Sequence, residues 1–83
     1  MSAPPEVIVY SRQGCHLCDV VMDKLRKLEK HASFAWREVD IDTDPDLVSR
    51  FNDEVPVVFI AGTKAFKYTL DEREFLRRLQ ARG

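Results

Sequence analysis

Cysteine and glycine are scarce in this chain of 83 residues, which contains two cysteines and three glycines. Two cysteines are too few for the disulfide framework of a small secreted domain. They occupy positions 15 and 18, and a bridge between residues so close in sequence closes almost no loop, so it can add little stability. The scarcity therefore favours a functional role for the pair over a structural one.

A dominant charge and a long apolar run are also missing. The formal net charge is −1, from 13 basic and 14 acidic residues, which predicts no attraction to nucleic acid or to an anionic membrane. The longest apolar run, residues 55–61, is far shorter than a membrane span, and residues 1–6 lack the charged and then apolar pattern of a signal peptide. We expect one monomeric cytoplasmic domain over residues 1–83, with residues 1–5 flexible.

Both cysteines lie between a strand-like segment and a helix-like one. Residues 7–10 are apolar and predict a buried strand, and residues 15–32 carry apolar side chains at helical spacing. That stripe consists of Leu17, Val21, Leu25 and Leu28. A three-residue step in a helix brings two Cα atoms within the roughly 7 Å that a disulfide requires. The partial positive charge of a helix N-terminus also favours thiolate over thiol, so Cys15 and Cys18 predict thiol–disulfide chemistry.

The remaining pattern predicts three more strands and two more helices. Residues 34–41 have apolar side chains in both alternation phases, which predicts a second strand covered on both faces. Asp44-Pro45 is a helix start, residues 57–60 and 64–68 form a hairpin, and Asp71 caps a last helix. The order βαβ-αββα predicts an α/β fold whose four-stranded mixed sheet has helices on both faces, with the first two strands parallel.

With these elements the chain resembles the glutaredoxin branch of the thioredoxin fold over nearly its whole length. The matching segments are residues 7–12, which lead into Cys15-His16-Leu17-Cys18, residues 38–42, and Val55-Pro56 followed by the third strand. A Cys-x-x-Cys and a Val-Pro at the expected separation make the resemblance specific. The Cys-His-Leu-Cys sequence is most similar to a glutaredoxin-like subgroup that differs from the glutathione-using enzymes.

The resemblance implies a role for each matching residue. Cys15 would be the exposed attacking thiol and Cys18 the buried resolving thiol. Pro56 would follow a cis peptide bond and stack against the disulfide, and the backbone of Val55 would pair with an extended substrate. Arg12 matches a basic residue of glutaredoxins and would stabilise the thiolate or bind a substrate carboxylate. The implied partner is a protein disulfide or a small thiol, with no bound cofactor and with glutathione as one candidate reductant.

Three departures from the glutaredoxin pattern argue against glutathione binding. His16-Leu17 replaces the usual Pro-Tyr between the cysteines, and Glu54 replaces a threonine and adds an anion before Val-Pro. Residues 66–71 lack the glycine pair that cradles glutathione in glutaredoxins. His16, as an imidazolium beside Cys15, would favour the thiolate; it is equally compatible with an exposed histidine of little effect.

Two hypotheses from other functional classes stay open at this point. Two thiolates supply half of a zinc or iron–sulfur site, and the resemblance includes a cluster shared between two chains and glutathione. Alternatively, the domain could be a non-catalytic module that holds partners at the Val55-Pro56 edge.

Overall fold

The computed structural model describes residues 5–82, and the side chains of residues 5–80 among them. The strands are β1 (Glu6–Ser11), β2 (Ala35–Asp40), β3 (Val57–Ile60) and β4 (Thr63–Lys67), and the helices are α1 (His16–Leu28), α2 (Pro45–Phe51) and α3 (Glu72–Arg82), with a short 3₁₀ helix at Ile41–Thr43. This is the predicted βαβ-αββα order. The expected flexible start at residues 1–5 falls on residues 1–4, which lie outside the described part, and on Pro5, whose carbonyl oxygen accepts the Ala35 N–H at 3.4 Å.

The sheet has the order β2-β1-β3-β4. Strand β1 pairs in parallel with β2 and antiparallel with β3, and β3 forms an antiparallel hairpin with β4. The predicted mixed sheet and its parallel first pair are therefore confirmed. Because β1 has a neighbour on each side, Val7 and Val9 are fully buried at its centre.

Helices cover both faces of this sheet, as predicted. Side chains of a strand alternate between faces, and β1 accordingly contributes to two separate clusters. Val7 and Val9 belong to a main core built with residues of α1 and α3, whereas Tyr10 packs against a second cluster at α2. In that second cluster the Tyr10 ring stacks on Phe51, with 4.8 Å between centroids. The two clusters therefore pack against opposite faces of β1.

The prediction that the second strand is covered on both faces is wrong. Strand β2 lies at the edge of the sheet, and none of its six residues is buried. Trp36 is half-buried and donates its indole N–H to Glu29 at the end of α1. Ile41, which the pattern assigned to the strand, is fully buried but starts the 3₁₀ helix. The apolar residues that suggested a strand covered on both faces therefore have two different explanations. Those within β2 are only partly covered, because β2 is an edge strand, and Ile41 belongs to the 3₁₀ helix that follows.

Both predicted helix starts are confirmed by their hydrogen bonds. The Asp44 carboxylate accepts the Asp46 N–H at 2.9 Å, and Pro45 occupies the first turn of α2. The Asp71 carboxylate accepts the Glu74 N–H at 3.0 Å at the start of α3. Each cap satisfies a backbone donor that the first helical turn leaves unpaired. No helix within residues 5–82 has the length and apolar character needed to cross a membrane.

Helix α1 offers a direct test of which side chains form the core. Leu25 is fully buried, whereas Val20 on the same helix is exposed. We expect Leu25→Ala to lower the free energy of unfolding by roughly 2–5 kcal/mol, because it removes buried methyl groups and leaves a cavity. Val20→Ala should change it by less than about 0.5 kcal/mol. Urea unfolding of the two variants measures the difference, and equal losses would contradict this assignment of the core.

Candidate active site

A tight turn carries the chain from β1 into α1 and sets the position of Cys15. The Cys15 N–H donates to the carbonyl oxygen of Arg12 at 3.3 Å. Gly14 has φ of +76°, in the left-handed region that residues with a Cβ rarely adopt. Cys15 itself is extended and stands at the N-cap of α1. The first cysteine is therefore held at the helix N-terminus, at the end of the central strand.

The two cysteines form a disulfide and differ in exposure. Their Cα atoms are 5.2 Å apart. Cys18 is 1% exposed and belongs to the main core, whereas Cys15 is half-buried. The Cys18 N–H also donates to the Cys15 sulfur at 3.1 Å. Once the bond is reduced, this donor and the helix N-terminus would both favour negative charge on the more accessible sulfur.

The Val55-Pro56 segment reaches the same edge of the sheet from another part of the chain. Strand β3 is antiparallel to β1 and pairs Val57 with Tyr10, so the residues just before β3 lie beside the end of β1 where the cysteine turn begins. The Val55–Pro56 peptide bond is cis, the isomer that the resemblance implies. Pro56 is buried, and Val55 packs against the same core as Cys15. The structure thus brings the two sequence motifs together.

Arg12 is engaged by partners within the chain. Its Nε and Nη2 atoms donate to the carboxylate of Asp42, at 2.9 Å for the closest contact, and its Nη1 donates to the Asn52 side chain at 2.8 Å. The hydrogen bonds from Arg12 lower the pKa of Asp42, and the same bonds raise the pKa of Arg12. These contacts join the cysteine turn to the 3₁₀ helix and to the end of α2.

Sequence reasoning missed Asp42 and Asn52 as neighbours of the site. One signal for Asp42 is available, because the C-terminal ends of parallel strands meet at one edge of a sheet. Arg12 follows β1 and Asp42 follows β2 by two residues, so the predicted parallel pair places both at that edge. No comparable signal exists for Asn52, whose position depends on how α2 packs.

Glu54, the anion before Val-Pro, is also paired. The Lys64 ammonium group on β4 donates to its carboxylate at 2.5 Å. This hydrogen bond lowers the pKa of Glu54, and the charge of Lys67 contributes in the same direction. The negative charge of Glu54 is therefore largely balanced by a cation on β4.

His16 and Leu17, the two residues between the cysteines, are both exposed. Leu17 is 48% exposed, so its predicted place on the buried stripe of the helix is wrong. Cys18 occupies the inward position of the first turn and continues the buried series of Val21, Met22 and Leu25, which leaves the preceding residue pointing away from the core. An apolar side chain therefore stands at the surface next to the disulfide.

Tyr68 also has an exposed side chain, and its backbone contacts the Val55-Pro56 segment. Tyr68 is 43% exposed, and its N–H donates to the carbonyl oxygen of Pro56 at 2.8 Å. Within residues 5–82, no group of three or more His, Cys, Asp or Glu residues is arranged to hold a metal ion.

Comparisons with known proteins agree with this geometry. The sequence model of the family described as "Glutaredoxin-like domain (DUF836)" matches residues 6–80. An uncharacterized protein of Mycobacterium tuberculosis is 30% identical over 73 residues, which cover 82% of this chain and 75% of that protein. The solution structure of a protein from Nitrosomonas europaea superposes with a TM-score of 0.81 and 32% identity over 94% of each chain.

A more distant neighbour identifies the fold. A thioredoxin variant from Halobacterium salinarum superposes with a TM-score of 0.67 over 95% of this chain and 74% of its own, at 18% identity. At this identity the likeness concerns the fold alone. The α/β fold of this chain is thus of the thioredoxin type. In a chain that the model of the glutaredoxin-like family matches, the Cys15–Cys18 pair fits a redox role.

The paired carboxylates predict how stability depends on pH. The pKa of Asp42 lies below its usual 3.8 because Arg12 donates to it, and that of Glu54 lies below 4.5 because Lys64 donates to it. Carboxylates with a lowered pKa stabilise the fold above their unfolded values and lose that contribution as pH falls through the folded values. We expect the free energy of unfolding to fall below about pH 4.5.

Variants of Arg12 and Asp42 measure how much this ion pair contributes to the loss of stability at acid pH. In Asp42→Asn the free energy of unfolding should fall less steeply as the pH is lowered, because the carboxylate with the lowered pKa is gone. Arg12→Gln should reduce the steepness equally, and the double variant should reduce it no further. Urea unfolding at a series of pH values measures each slope. An acid-side decline that is unchanged in Asp42→Asn would show that the Arg12 contact does not contribute.

Proposed function

Because this chain belongs to the family of glutaredoxin-like domains, we propose that it is a thiol–disulfide oxidoreductase whose redox pair is Cys15 and Cys18. The observation that supports this most directly is the asymmetry of the pair. One sulfur is accessible at a helix N-terminus and accepts a backbone N–H, and the other is buried one turn later. The first suits a nucleophile and the second suits a resolving thiol.

In the first step the Cys15 thiolate attacks one sulfur of a substrate disulfide. A mixed disulfide forms between Cys15 and that sulfur, the substrate S–S bond breaks, and the other substrate sulfur leaves as a thiolate that takes up a proton. The Cys18 N–H and the N-terminus of α1 stabilise the attacking thiolate before the step. The same two features also stabilise the Cys15 thiolate when it is the leaving group of the reverse reaction, so they favour exchange in both directions.

In the second step Cys18 resolves the mixed disulfide. Its thiolate attacks the Cys15 sulfur, the Cys15–Cys18 disulfide forms as the mixed S–S bond breaks, and the second substrate sulfur leaves as a thiolate that takes up a proton. The protein is oxidised by two electrons and the substrate is reduced by two. A Cα separation of 5.2 Å lets the protein disulfide form without moving the backbone. A dithiol or a pair of glutathione molecules would restore the reduced form.

We propose that the substrate is an extended polypeptide that docks beside the disulfide. Val55 directly precedes the buried Pro56 and packs against the core next to Cys15, so its backbone groups are suitably placed for strand-like pairing. The exposed side chains of Leu17 and Tyr68 offer apolar contacts to such a segment. A cytoplasmic location, where a Cys-x-x-Cys pair is kept available for exchange, stays a prediction.

A redox titration tests the proposed function. The protein is equilibrated in glutathione redox buffers, its free thiols are trapped, and its intact mass is measured. We expect a reversible loss of two hydrogen atoms with a midpoint between about −270 and −120 mV, the range of oxidoreductases with this fold. Cys15→Ser should abolish this transition and all mixed disulfides, whereas Cys18→Ser should accumulate a mixed disulfide at Cys15.

Either of two results would refute the proposal. The first is that both thiols of the wild-type protein stay reduced and unmodified across the whole series. The second is that Cys15→Ser and Cys18→Ser accumulate mixed disulfides equally, which would remove the distinction between an attacking and a resolving thiol.

His16 allows a separate prediction about the nucleophile. As a cation beside Cys15 it would increase the thiolate fraction, so His16→Asn should slow alkylation of Cys15 by iodoacetamide. The difference between the variant and the wild type should be larger at low ionic strength, because salt screens exposed charges. A difference in rate that does not change with salt would contradict an electrostatic role.

A further inference from the structure

We infer that Asp42 is a specificity-determining residue, because it holds the Arg12 guanidinium and so withholds it from the carboxylates of an anionic disulfide. The redox pair would then favour neutral or cationic disulfides over anionic ones such as glutathione disulfide. This inference rests on the proposed function and names the substrate class of the same site. The hydrogen bonds of the Arg12 side chain are the observation that supports it.

The geometry makes Asp42 a direct competitor of a substrate carboxylate. Two atoms of the guanidinium, Nε and Nη2, donate to the Asp42 carboxylate, which is the bidentate arrangement that an arginine offers to a bound anion. The remaining Nη1 donates to the Asn52 side chain. A substrate carboxylate would have to displace one of these partners to obtain the same hydrogen bonds.

Other charges on this side reinforce the effect. Asp40 and Asp53 also act on Arg12 electrostatically, so one cation faces three carboxylates in this group. The backbone carbonyl of Arg12 accepts the Cys15 N–H, so the guanidinium is carried by the turn that leads directly into the reacting cysteine. Exposed charges act over a Debye length of about 8 Å at physiological salt, so an approaching anion experiences this group.

On the opposite side, Lys64 is occupied in a similar way by Glu54. Glutathione carries two carboxylates and one ammonium group, so its disulfide approaches as an anion. Arg12 and Lys64 already have intrachain carboxylate partners, so an anionic disulfide gains little from either of these two cations. A neutral disulfide loses nothing by this arrangement, which is why the difference should appear between substrates rather than in the chemical step itself.

The test compares two small disulfides in the intact chain carrying Cys18→Ser, where attack by Cys15 forms a mixed disulfide that is not resolved. Hydroxyethyl disulfide is the neutral probe and glutathione disulfide the anionic one. In each case the Cys15–substrate bond forms as the substrate S–S bond breaks and one substrate thiolate leaves. Intact mass gives the rate of adduct formation for both probes.

We expect Asp42→Asn to raise the rate with glutathione disulfide by about threefold to fivefold relative to hydroxyethyl disulfide, a factor typical of one exposed ion pair. Asp42→Ala should do the same and provides a second variant. Adding Arg12→Gln to Asp42→Asn should abolish the gain, because the released guanidinium is what binds the anion. Because Arg12→Gln also removes a positive charge, Arg12→Lys is added to Asp42→Asn as a variant that keeps this charge. A merely electrostatic gain would survive Arg12→Lys, whereas a gain from bidentate binding by the guanidinium should fall.

Asp46→Asn is the matched control. Asp46 is an exposed carboxylate in the first turn of α2 and is not among the hydrogen-bond partners of Arg12, so its substitution removes the same unit charge without releasing the guanidinium. We expect the ratio of the two rates to stay at the wild-type value in Asp46→Asn.

The outcomes separate this inference from the proposed function. If Cys15 reacts with hydroxyethyl disulfide but neither Asp42 variant changes the ratio of rates, the inference is wrong and the proposed function stands. The inference is equally wrong if Asp46→Asn gives the same gain or if the gain persists after Arg12→Gln. If Cys15 reacts with neither probe in any variant, the proposed function fails and the inference fails with it.

Discussion

The pairing of β1 with a strand on each side is the constraint from which the geometry of the site follows. Because β2 runs parallel to β1, the segments that leave both strands emerge at one edge of the sheet, which is how Asp42 meets Arg12. Because β3 runs antiparallel, it begins at that edge, which brings Val55-Pro56 beside the cysteine turn. Three segments that are distant in sequence thus meet through backbone hydrogen bonds alone.

The difference between the two cysteines follows from helical periodicity. Cys18 falls on the inward stripe of α1 together with Val21, Met22 and Leu25, so burial of this stripe against the sheet removes its sulfur from water. Cys15 precedes the first turn, where the chain still leaves the sheet edge, and is half-buried for that reason. An accessible thiol beside a protected one therefore needs no dedicated cavity, only a Cys-x-x-Cys at the start of a helix that packs on a sheet.

The fold could be predicted from the sequence because its signals are local. The apolar run of β1, the stripe of α1, the Asp-Pro start of α2 and the cap of α3 each depend on residues close in sequence. The predicted last strand, 64–68, shows the limit of this reasoning. Tyr68 has φ of +70°, outside strand geometry, and its N–H donates to Pro56. That conformation is set by contact with a distant segment, which no local pattern contains.

The residues of the candidate site could be predicted from sequence motifs, whereas most of the charged contacts around them could not. The two cysteines, Val55 and Pro56 are identified by motifs, and the structure places them at one edge. The parallel strand pair places Asp42 at the same edge as Arg12, but the contact of Arg12 with Asn52 depends on how the end of α2 packs, which is a long-range property. Leu17 was misplaced for a smaller reason, since a shift of one position around a helix decides whether a side chain is buried or exposed.

Under the proposed function, the ion pair between Arg12 and Asp42 would matter more for selection among disulfides than for the stability of the fold. The Arg12 and Asp42 side chains are 33% and 48% exposed, and ion pairs this exposed add little to the stability of a fold. That small energy is on the scale of a severalfold preference between two substrates, because selection depends on a difference of binding energies rather than on their sum. Under the proposed function, a contact too weak to hold the fold together would therefore be strong enough to bias which disulfide reacts at Cys15.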